Sequence, residues 1–283
     1  MKKVGIVAKL NKPEAVKISH DIVKWLTDRG VEVYLDNELA ARLSHPKSCS
    51  ATKLPDAVEL IIVLGGDGTM LYAARLIGEN KIPILGVNLG NLGFLTAIKM
   101  NEIYPVLDRV IKDDFETEER MMLSVRMQRN DGSVSKYTIL NDVVIKGALA
   151  RLISVEARIN KEYVTTYRAD GLIISTPTGS TAYSLSAGGP ILYPTIHSII
   201  VAPICPFNLT NRPVVIPDWM TVEISPRPDH DNVMLTLDGQ VDIPLKRGDI
   251  IEVKRSDASL YLVKCPGKSY FDILRERLMW GGK

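Results

Sequence analysis

Three glycines and a carboxylate lie within five residues, in the segment Gly65-Gly66-Asp67-Gly68-Thr69. The apolar run Leu60–Leu64 before it predicts a buried strand, and the pattern of Met70–Ile77 after it predicts a helix. Glycines let a backbone approach phosphate oxygens closely, and the N–H groups at a helix N-terminus carry partial positive charge. The segment is therefore a candidate phosphate-binding loop.

Asp67 is the unexpected residue in this loop, because a carboxylate that merely faced a phosphate would repel it. An aspartate carboxylate is ordinarily ionised at neutral pH, so it can accept the proton of a hydroxyl group that attacks a phosphoryl group. The residues alone leave a structural interpretation equally open, in which the glycines make a tight strand-to-helix turn and Asp67 caps the helix. The Walker-type pattern GxxxxGK[ST] and the protein-kinase signatures HRD and DFG do not occur.

Two further polar segments are candidates for binding a ligand. By residue type alone, the pair Asn141-Asp142 is typical of the edge of a strand, and the Ser-, Thr- and Gly-rich run 176–189 is typical of a loop. Tyr183 within that run argues for a binding role, because an aromatic face among small hydroxyl residues suits a planar ring of a ligand.

Asp238-Gly239-Gln240 lies between two strand-like runs and predicts a tight hairpin turn, with a structural role near a site left open. His197 and His230 are not grouped with other His or Cys residues at ligand spacing, and we expect both to be structural or surface residues. No zinc site is predicted.

The first third of the chain alternates strand-like runs with helical patterns, as a parallel sheet with covering helices would. The remaining predicted elements of this part are Val4–Leu10, Pro13–Arg29, Val31–Leu35, Pro83–Asn88 and Glu102–Ile111.

The pattern changes after the charged stretch 112–120, where alternating apolar residues such as those of 153–159 predict antiparallel strands. We therefore expect an α/β domain over residues 1–115 and a β-rich domain over 116–268. A helical pattern in 269–283 predicts a C-terminal helix that returns to the first domain.

Composition excludes several classes of protein. With 46% hydrophobic and 24% charged residues, the chain matches an ordinary globular protein. Lys and Arg outnumber Asp and Glu by only 35 to 33 without a basic block, so binding to nucleic acid or to a membrane is not expected. The three cysteines are far apart and form no metal-binding or disulfide pattern, which favours the cytoplasm.

The motif at residues 65–69 resembles the GGDGT motif that NAD kinases share with diacylglycerol and sphingosine-type lipid kinases and, more distantly, with phosphofructokinases. Three further segments resemble the NAD kinase family specifically: Leu140-Asn141-Asp142-Val143-Val144, Tyr167-Arg168-Ala169-Asp170-Gly171 and the run from Thr176 to Pro190. The resemblance extends from Val4 to about Ile273.

This resemblance implies a Rossmann-like α/β N-terminal domain on the phosphate-donor side and an NAD-binding all-β C-terminal domain of stacked sheets. It implies transfer of a phosphoryl group from ATP or polyphosphate to the adenosine-ribose 2′-hydroxyl of NAD, giving NADP. A divalent metal, expected to be Mg²⁺, would accompany the donor, although its protein ligands cannot be assigned. The resemblance also implies a homodimer or homotetramer.

The resemblance assigns roles residue by residue. Asp67 takes the position of the general base, and the donor-side residues are Gly65, Gly66, Gly68 and Thr69. The residues implied to bind NAD are Asn141, Asp142, Arg168, Asp170, Thr178, Ser180, Thr181, Ala182, Tyr183 and Ser186. The family usually has Asn-Glu where this chain has Asn141-Asp142, and the shorter acid puts the contact of Asp142 in doubt.

Two other functions compete with this one. A lipid kinase would share the GGDGT motif, but it would need a membrane-facing apolar or basic segment, and the sequence contains none that we recognise. A non-catalytic NAD(P)-binding sensor would keep the pocket, yet binding alone gains nothing from a carboxylate beside the donor phosphates.

Overall fold

The structure, a computed structural model, describes residues 1–90, 92–147, 151–227 and 233–280. The chain forms two compact units: residues 1–119 together with 260–283, and residues 120–259. Residues 260–268 thus lie in the first unit, whereas the sequence-based division assigns them to the second domain. The reason is that the end of a long strand joins the first unit's sheet.

The first unit is built from short strands that alternate with helices. Up to residue 119, its elements in chain order are β1 (Lys3–Ala8), α1 (Pro13–Thr27), β2 (Glu32–Asp36), α2 (Asn37–Leu43), β3 (Ser48–Cys49), α3 (Leu54–Ala57), β4 (Leu60–Gly65), α4 (Asp67–Ile77), β5 (Pro83–Asn88), β6 (Ile98–Lys99) and α5 (Ile103–Ile111). Single 3₁₀ turns lie at Ala51–Lys53 and Met100–Glu102.

The strands of this unit form a parallel sheet in the order β5-β4-β1-β2-β3, and β6 adds to β5. All six residues of β4 are buried, as expected of a parallel strand covered on both faces. Ile22 and Leu26 of α1 and Leu107 of α5 belong to the same buried core as the strand residues Ile6 and Ile62.

The register of this sheet sets where the candidate phosphate loop lies. Gly65 pairs with Asn88, and Ala8 pairs with Leu64, so β1, β4 and β5 end at the same edge. In this sheet β2 lies on one side of β1 and β4 lies on the other, so the strand order reverses between β1 and β4. The crevice at the carboxyl ends of these two strands is the kind of switch point where α/β sheets bind ligands.

The second unit is almost entirely β-structure. Its elements are β7 (Thr117–Gln128), β8 (Val134–Ile139), β9 (Asp142–Gly147), β10 (Ile153–Ile159), β11 (Glu162–Ala169), β12 (Gly171–Ser175), a 3₁₀ turn (Thr178–Thr181), α6 (Tyr183–Ser186), β13 (Ser198–Ile204), β14 (Val214–Pro217), β15 (Val222–Pro226), β16 (Val233–Leu237), β17 (Val241–Leu245) and β18 (Ile250–Val263). The first and last of these strands extend past the limits of the unit.

Two antiparallel layers make up this unit. One has the order β14-β13-β12-β9-β16-β17, and the other contains β11-β10-β15-β18 together with β7 and β8. One core cluster joins Ile145, Leu172 and Leu235 of the first layer to Val125 and Ile224 of the second. The layers therefore pack face to face, which confirms the predicted stacked sheets.

The C-terminal segment belongs to the first unit. Tyr261 and Leu262 at the end of β18 pair in parallel with Pro83 and Ile84 of β5. The final helix α7 (Tyr270–Leu278) begins at a reciprocal cap between Ser269 and Asp272.

Contacts of α7 with the α/β core confirm that this segment packs back. The Glu276 carboxylate lies 3.0 Å from the Lys99 ammonium, and the Arg277 guanidinium lies 5.6 Å from the centre of the Phe94 ring. Leu274 is buried.

Candidate active site

The glycine loop of the first unit follows β4 directly. A Cβ atom on Gly65 would lie only 2.3 Å from the Thr69 hydroxyl oxygen. Any larger residue at position 65 would therefore clash with the Thr69 side chain as it is placed here. Gly66 differs, because a Cβ there would meet nothing within 4 Å and its φ of −118° suits any residue. The loop thus has one glycine required for packing and one that faces open space.

Asp67 is the first residue of α4, and Gly66 is the N-cap. The Asp67 carboxylate is bonded to the segment after β5 instead of capping its own helix. Oδ2 accepts the Phe94 N–H at 2.9 Å, and Oδ1 accepts the Leu95 N–H at 3.0 Å and the Thr96 hydroxyl at 3.2 Å. The structural interpretation in which Asp67 caps the helix is therefore wrong.

Asp238 organises the start of β9 in the second unit. Its carboxylate accepts the backbone N–H groups of Leu140, Asn141 and Asp142 at 3.0, 2.7 and 3.2 Å. Asp238 occupies the hairpin turn between β16 and β17 at a φ of +50°, which confirms the predicted turn. The turn residue thus positions the candidate NAD-binding pair.

The hydroxyl-rich run packs against the same pair. The Ser175 hydroxyl and the Thr176 N–H donate to the Asn141 carbonyl at 3.1 and 2.9 Å. A Cβ on Gly179 would lie 2.2 Å from that carbonyl oxygen, so no larger residue fits there. The structure therefore brings the run 176–189 and Asn141 together.

Hydroxyl and amide groups of this cluster differ in how they are used. The Ser180 hydroxyl donates to the Pro177 carbonyl at 2.6 Å and accepts the Leu192 N–H at 3.0 Å, which makes it a link within the loop. Within the described part of the chain, the buried Oδ1 of Asn141 and Oγ1 of Thr178 have no hydrogen-bond partner. Buried polar atoms are normally paired, so these two are suited to a ligand.

Asp142 is only 5% exposed, and the charge of Asp238 acts on it. Burial, followed by the charge of Asp238, raises its pKa from 3.8 to about 7, while the Tyr183 N–H, which donates to the Asp142 carboxylate, acts in the opposite direction. This carboxyl group can therefore be protonated near neutral pH.

The remaining predicted NAD-binding residues are more open. Tyr183 and Ser186 lie at the two ends of α6 and are exposed, and Thr181 and Ala182 beside it are half-buried. The Thr181 hydroxyl points to the Thr178 carbonyl at 3.4 Å.

Arg168 and Asp170 are exposed at the end of β11. The Arg168 guanidinium lies 5.0 Å from the centre of the Phe207 ring, which fits a cation–π contact. The Asp170 backbone N–H donates to the Ile204 carbonyl at 3.0 Å. Both side chains are thus available at the surface of the second unit.

The sequence interpretation missed the segment that holds Asp67. The Thr96 hydroxyl donates to Asp67, the Asn88 amide donates to Thr96, and a Cβ on Gly93 would lie 2.0 Å from Asp67 Oδ1. The signal was present as Gly86 within a buried strand and Gly90 and Gly93 after it, with Asn88 and Thr96 nearby.

The described residues were also searched for metal-binding clusters and for helices that could span a membrane. There, no group of three His, Cys, Asp or Glu side chains could hold a metal ion, and no helix has the length and apolarity to cross a membrane. His197 is exposed and lies 3.0 Å from the Asp218 carboxylate, whereas His230 lies outside the described residues.

The glycine loop with its anchored carboxylate on a parallel α/β unit, and the polar cluster on a β unit, define a phosphotransferase acting on a nucleotide. The chain belongs to the NAD kinase family: models described as the ATP-NAD kinase N-terminal and C-terminal domains match residues 4–115 and 140–265. This result confirms the family predicted from the motifs and excludes the lipid kinases.

Curated relatives named NAD kinase match over full length. The proteins of Geotalea daltonii and Syntrophotalea carbinolica are each 47% identical to this chain over 99% of both chains. Among solved structures, yeast NADH kinase complexed with NADH has a TM-score of 0.94 at 26% identity and covers 100% of this chain and 89% of its own. An Archaeoglobus fulgidus NAD kinase in complex with ATP has a TM-score of 0.79 at 25% identity, covering 99% of this chain and 100% of its own.

Proposed function

We propose that this chain transfers the terminal phosphoryl group of ATP to the adenosine-ribose 2′-hydroxyl of NAD, giving NADP. The observation that carries this proposal is the anchored carboxylate of Asp67, which lies within the glycine loop that follows β4. Such a group has a clear use in phosphoryl transfer, where catalysis depends mainly on positioning and electrostatics.

Asp67 acts as the general base. As the 2′-hydroxyl oxygen forms a bond to the terminal phosphorus, the bond from that phosphorus to the bridging oxygen of ADP breaks, and the hydroxyl proton passes to the Asp67 carboxylate. General bases typically contribute about 10²- to 10⁴-fold to such a rate. No covalent enzyme intermediate is needed.

The donor lies against the loop 65–69. Open space at Gly66 and the N-terminus of the 11-residue α4 support this assignment, because both favour close approach of phosphate oxygens. The complex of the archaeal relative with ATP supports ATP as the donor. Polyphosphate presents a similar terminal group and stays a second donor to be tested.

Mg²⁺ accompanies the donor. Magnesium keeps several waters and is usually held by one or two carboxylates plus substrate phosphates. When bound, the ion would offset charge on the donor phosphates.

The second unit binds NAD. Asn141, Asp142 and Thr178 bind the adenosine portion. Asn141 and Thr178 each have a buried side-chain oxygen that can form a hydrogen bond with it. The exposed ring of Tyr183 supplies a stacking surface, and Arg168 and Asp170 lie on the nicotinamide side. The remaining predicted members of the loop, Ser180, Thr181, Ala182 and Ser186, shape the backbone that lines the pocket.

Assembly as a homodimer or homotetramer is also proposed. Large apolar side chains are exposed near β14, the outermost strand of its sheet: Leu209 is 82% exposed, Trp219 68% and Phe207 65%. Contiguous exposed apolar patches commonly mark interfaces, and we infer that these side chains belong to one. Light scattering of the wild type and Trp219→Ser tests this: a dimer or tetramer that dissociates in the variant is expected, and a monomeric wild type refutes it.

A cytoplasmic location is proposed from the three cysteines, which are free thiols as a reducing compartment would leave them. Fractionation of cells, followed by detection of the protein in each fraction, tests this.

The activity is tested by incubating purified protein with NAD, ATP and Mg²⁺ and detecting NADP with an NADP-specific dehydrogenase. Parallel reactions with NADH and with polyphosphate define the acceptor and the donor. NADP formation is the expected result. If no donor yields NADP while NAD still binds, the kinase proposal fails and the sensor function replaces it.

A further inference from the structure

The segment between β5 and β6 forms a chain of hydrogen bonds that ends on Asp67. The Gly90 N–H donates to Asn88 Oδ1 at 2.6 Å, and Asn88 Nδ2 donates to the Thr96 hydroxyl oxygen at 2.8 Å. The Thr96 hydroxyl in turn donates to Asp67 Oδ1 at 3.2 Å. Thr96 is fully buried and Asn88 is 4% exposed, so these bonds form away from solvent.

The direction of this chain is determined by its first bond. Because the Gly90 N–H can only donate, it must meet the oxygen of the Asn88 side chain, which turns the amide nitrogen toward Thr96. The amide nitrogen can only donate as well, so the Thr96 hydroxyl accepts from Asn88 and has its own proton left for Asp67.

The two oxygens of Asp67 are therefore used differently. Oδ1 accepts two bonds, from the Leu95 N–H and the Thr96 hydroxyl, whereas among the described residues Oδ2 accepts only the Phe94 N–H. A carboxylate oxygen has two lone-pair positions, so Oδ2 keeps one for a further donor. The hydroxyl of a substrate is such a donor.

The backbone at Gly93 packs directly against the Asp67 carboxylate. A Cβ on Gly93 would lie 2.0 Å from Asp67 Oδ1 and 2.4 Å from the Thr96 hydroxyl oxygen. A Cβ on Gly86 of β5 would lie 2.7 Å from the Leu95 carbonyl oxygen, so the segment is also seated tightly on the sheet.

We propose that Thr96, oriented by Asn88, is a positioning residue that occupies Oδ1 of Asp67 and leaves Oδ2 as the atom that receives the substrate's proton. This inference rests on the proposed function, since it specifies how the base of that reaction is held. A misdirected carboxylate would still sit in the loop, but it would meet the substrate hydroxyl in a productive geometry less often.

The test compares Thr96→Val, which replaces the hydroxyl by a methyl group of similar size, with Thr96→Ser, which keeps the hydroxyl. Thr27→Val serves as a matched control, because it removes an exposed hydroxyl-to-carbonyl bond at the end of α1, in the same unit. Steady-state kinetics with NAD and ATP and thermal unfolding are measured for each protein.

For Thr96→Val we expect kcat to fall by about 10- to 100-fold, since an interaction made only with the reacting group is lost, while both KM values stay within about threefold. Thr96→Ser should restore most of kcat, and Thr27→Val should match the wild type. Asn88→Ala should lower kcat in the same direction and add little to Thr96→Val, because both act through one hydroxyl.

Wild-type kcat in Thr96→Val would overturn the positioning role and leave the proposed function standing. Equal loss in Thr96→Val and Thr96→Ser would also overturn it, by showing that packing of the methyl group matters and not the hydroxyl. Absence of NADP from the wild type would overturn the proposed function and this inference with it. If Thr96→Val does not fold, Thr96→Ala takes its place with the same expected outcomes.

Discussion

The buried carboxyl group of Asp142 makes the stability of the protein depend on pH in a specific way. Its pKa is raised from 3.8 to about 7, first by burial and then by the charge of Asp238. Between these two values the folded chain binds a proton that the unfolded chain has lost. Stability therefore falls as pH rises through this window and stays low above it.

The size of the effect follows from the two pKa values. A shift from 3.8 to about 7 corresponds to about 4 kcal/mol of stability lost once the folded carboxyl is fully ionised. Half of this, about 2 kcal/mol, falls between about pH 5.5 and about pH 8. The substitution Asp142→Asn removes the titrating group but keeps an oxygen that can accept the Tyr183 N–H.

Urea unfolding of the wild type and Asp142→Asn at these two pH values measures the effect. The stability of the variant relative to the wild type should be about 2 kcal/mol more favourable at about pH 8 than at about pH 5.5. All other titrating groups are shared by the two proteins, so their contributions largely cancel. A relative stability that is the same at both pH values, or more favourable at the lower one, refutes the reasoning.

Two glycine substitutions separate close packing from ligand approach. Gly66→Ala should fold with nearly wild-type stability, because its Cβ meets nothing within 4 Å. It should nevertheless raise the KM for ATP by about 10-fold or more, because the added methyl group intrudes on the donor. Thermal unfolding measures the stability and a titration with ATP measures the KM; an unchanged KM would show that the donor binds elsewhere. Gly179→Ala should destabilise the protein by about 1–3 kcal/mol, since its Cβ would lie 2.2 Å from the Asn141 carbonyl oxygen. Denaturant unfolding measures this loss, and a variant as stable as the wild type would contradict the prediction.

Local pattern was sufficient for much of the first unit. The strand Pro83–Asn88 was predicted with its observed limits, and Leu60–Leu64 within one residue, because parallel strands buried on both faces appear as continuous apolar runs between turn residues. The hairpin around Asp238 was predicted for a similar reason, as its turn residues separate two runs of strand type.

Contacts between distant parts of the chain were beyond such reasoning. The bond from Thr96 to Asp67 spans 29 positions and depends on the pairing of Gly65 with Asn88. The hydrogen bonds from the start of β9 to Asp238 span 96 to 98 positions. The effect of the Asp238 charge on the pKa of Asp142 likewise joins two distant parts of the chain. Residue type indicated that these side chains could do chemistry, but only the sheet registers show which of them meet.

The family resemblance and the structure also contribute differently to the candidate site. The resemblance lists hydroxyl residues of the run 176–189 together, whereas the structure separates Ser180, whose hydroxyl is used within the loop, from Thr178, whose buried oxygen is available. Whether a given polar atom has a hydrogen-bond partner depends on three-dimensional packing. The order of residues in a motif does not reveal that packing.

The central claim is that Asp67 accepts the proton of the NAD 2′-hydroxyl. Its most direct test measures NADP formation and NAD affinity side by side for the wild type and Asp67→Asn, which keeps the size of the side chain but cannot act as the base. We predict that turnover falls by about 10²- to 10⁴-fold while NAD affinity stays within about threefold. An equal loss of turnover and affinity would show a purely structural role, and retained turnover would show that another group takes the proton.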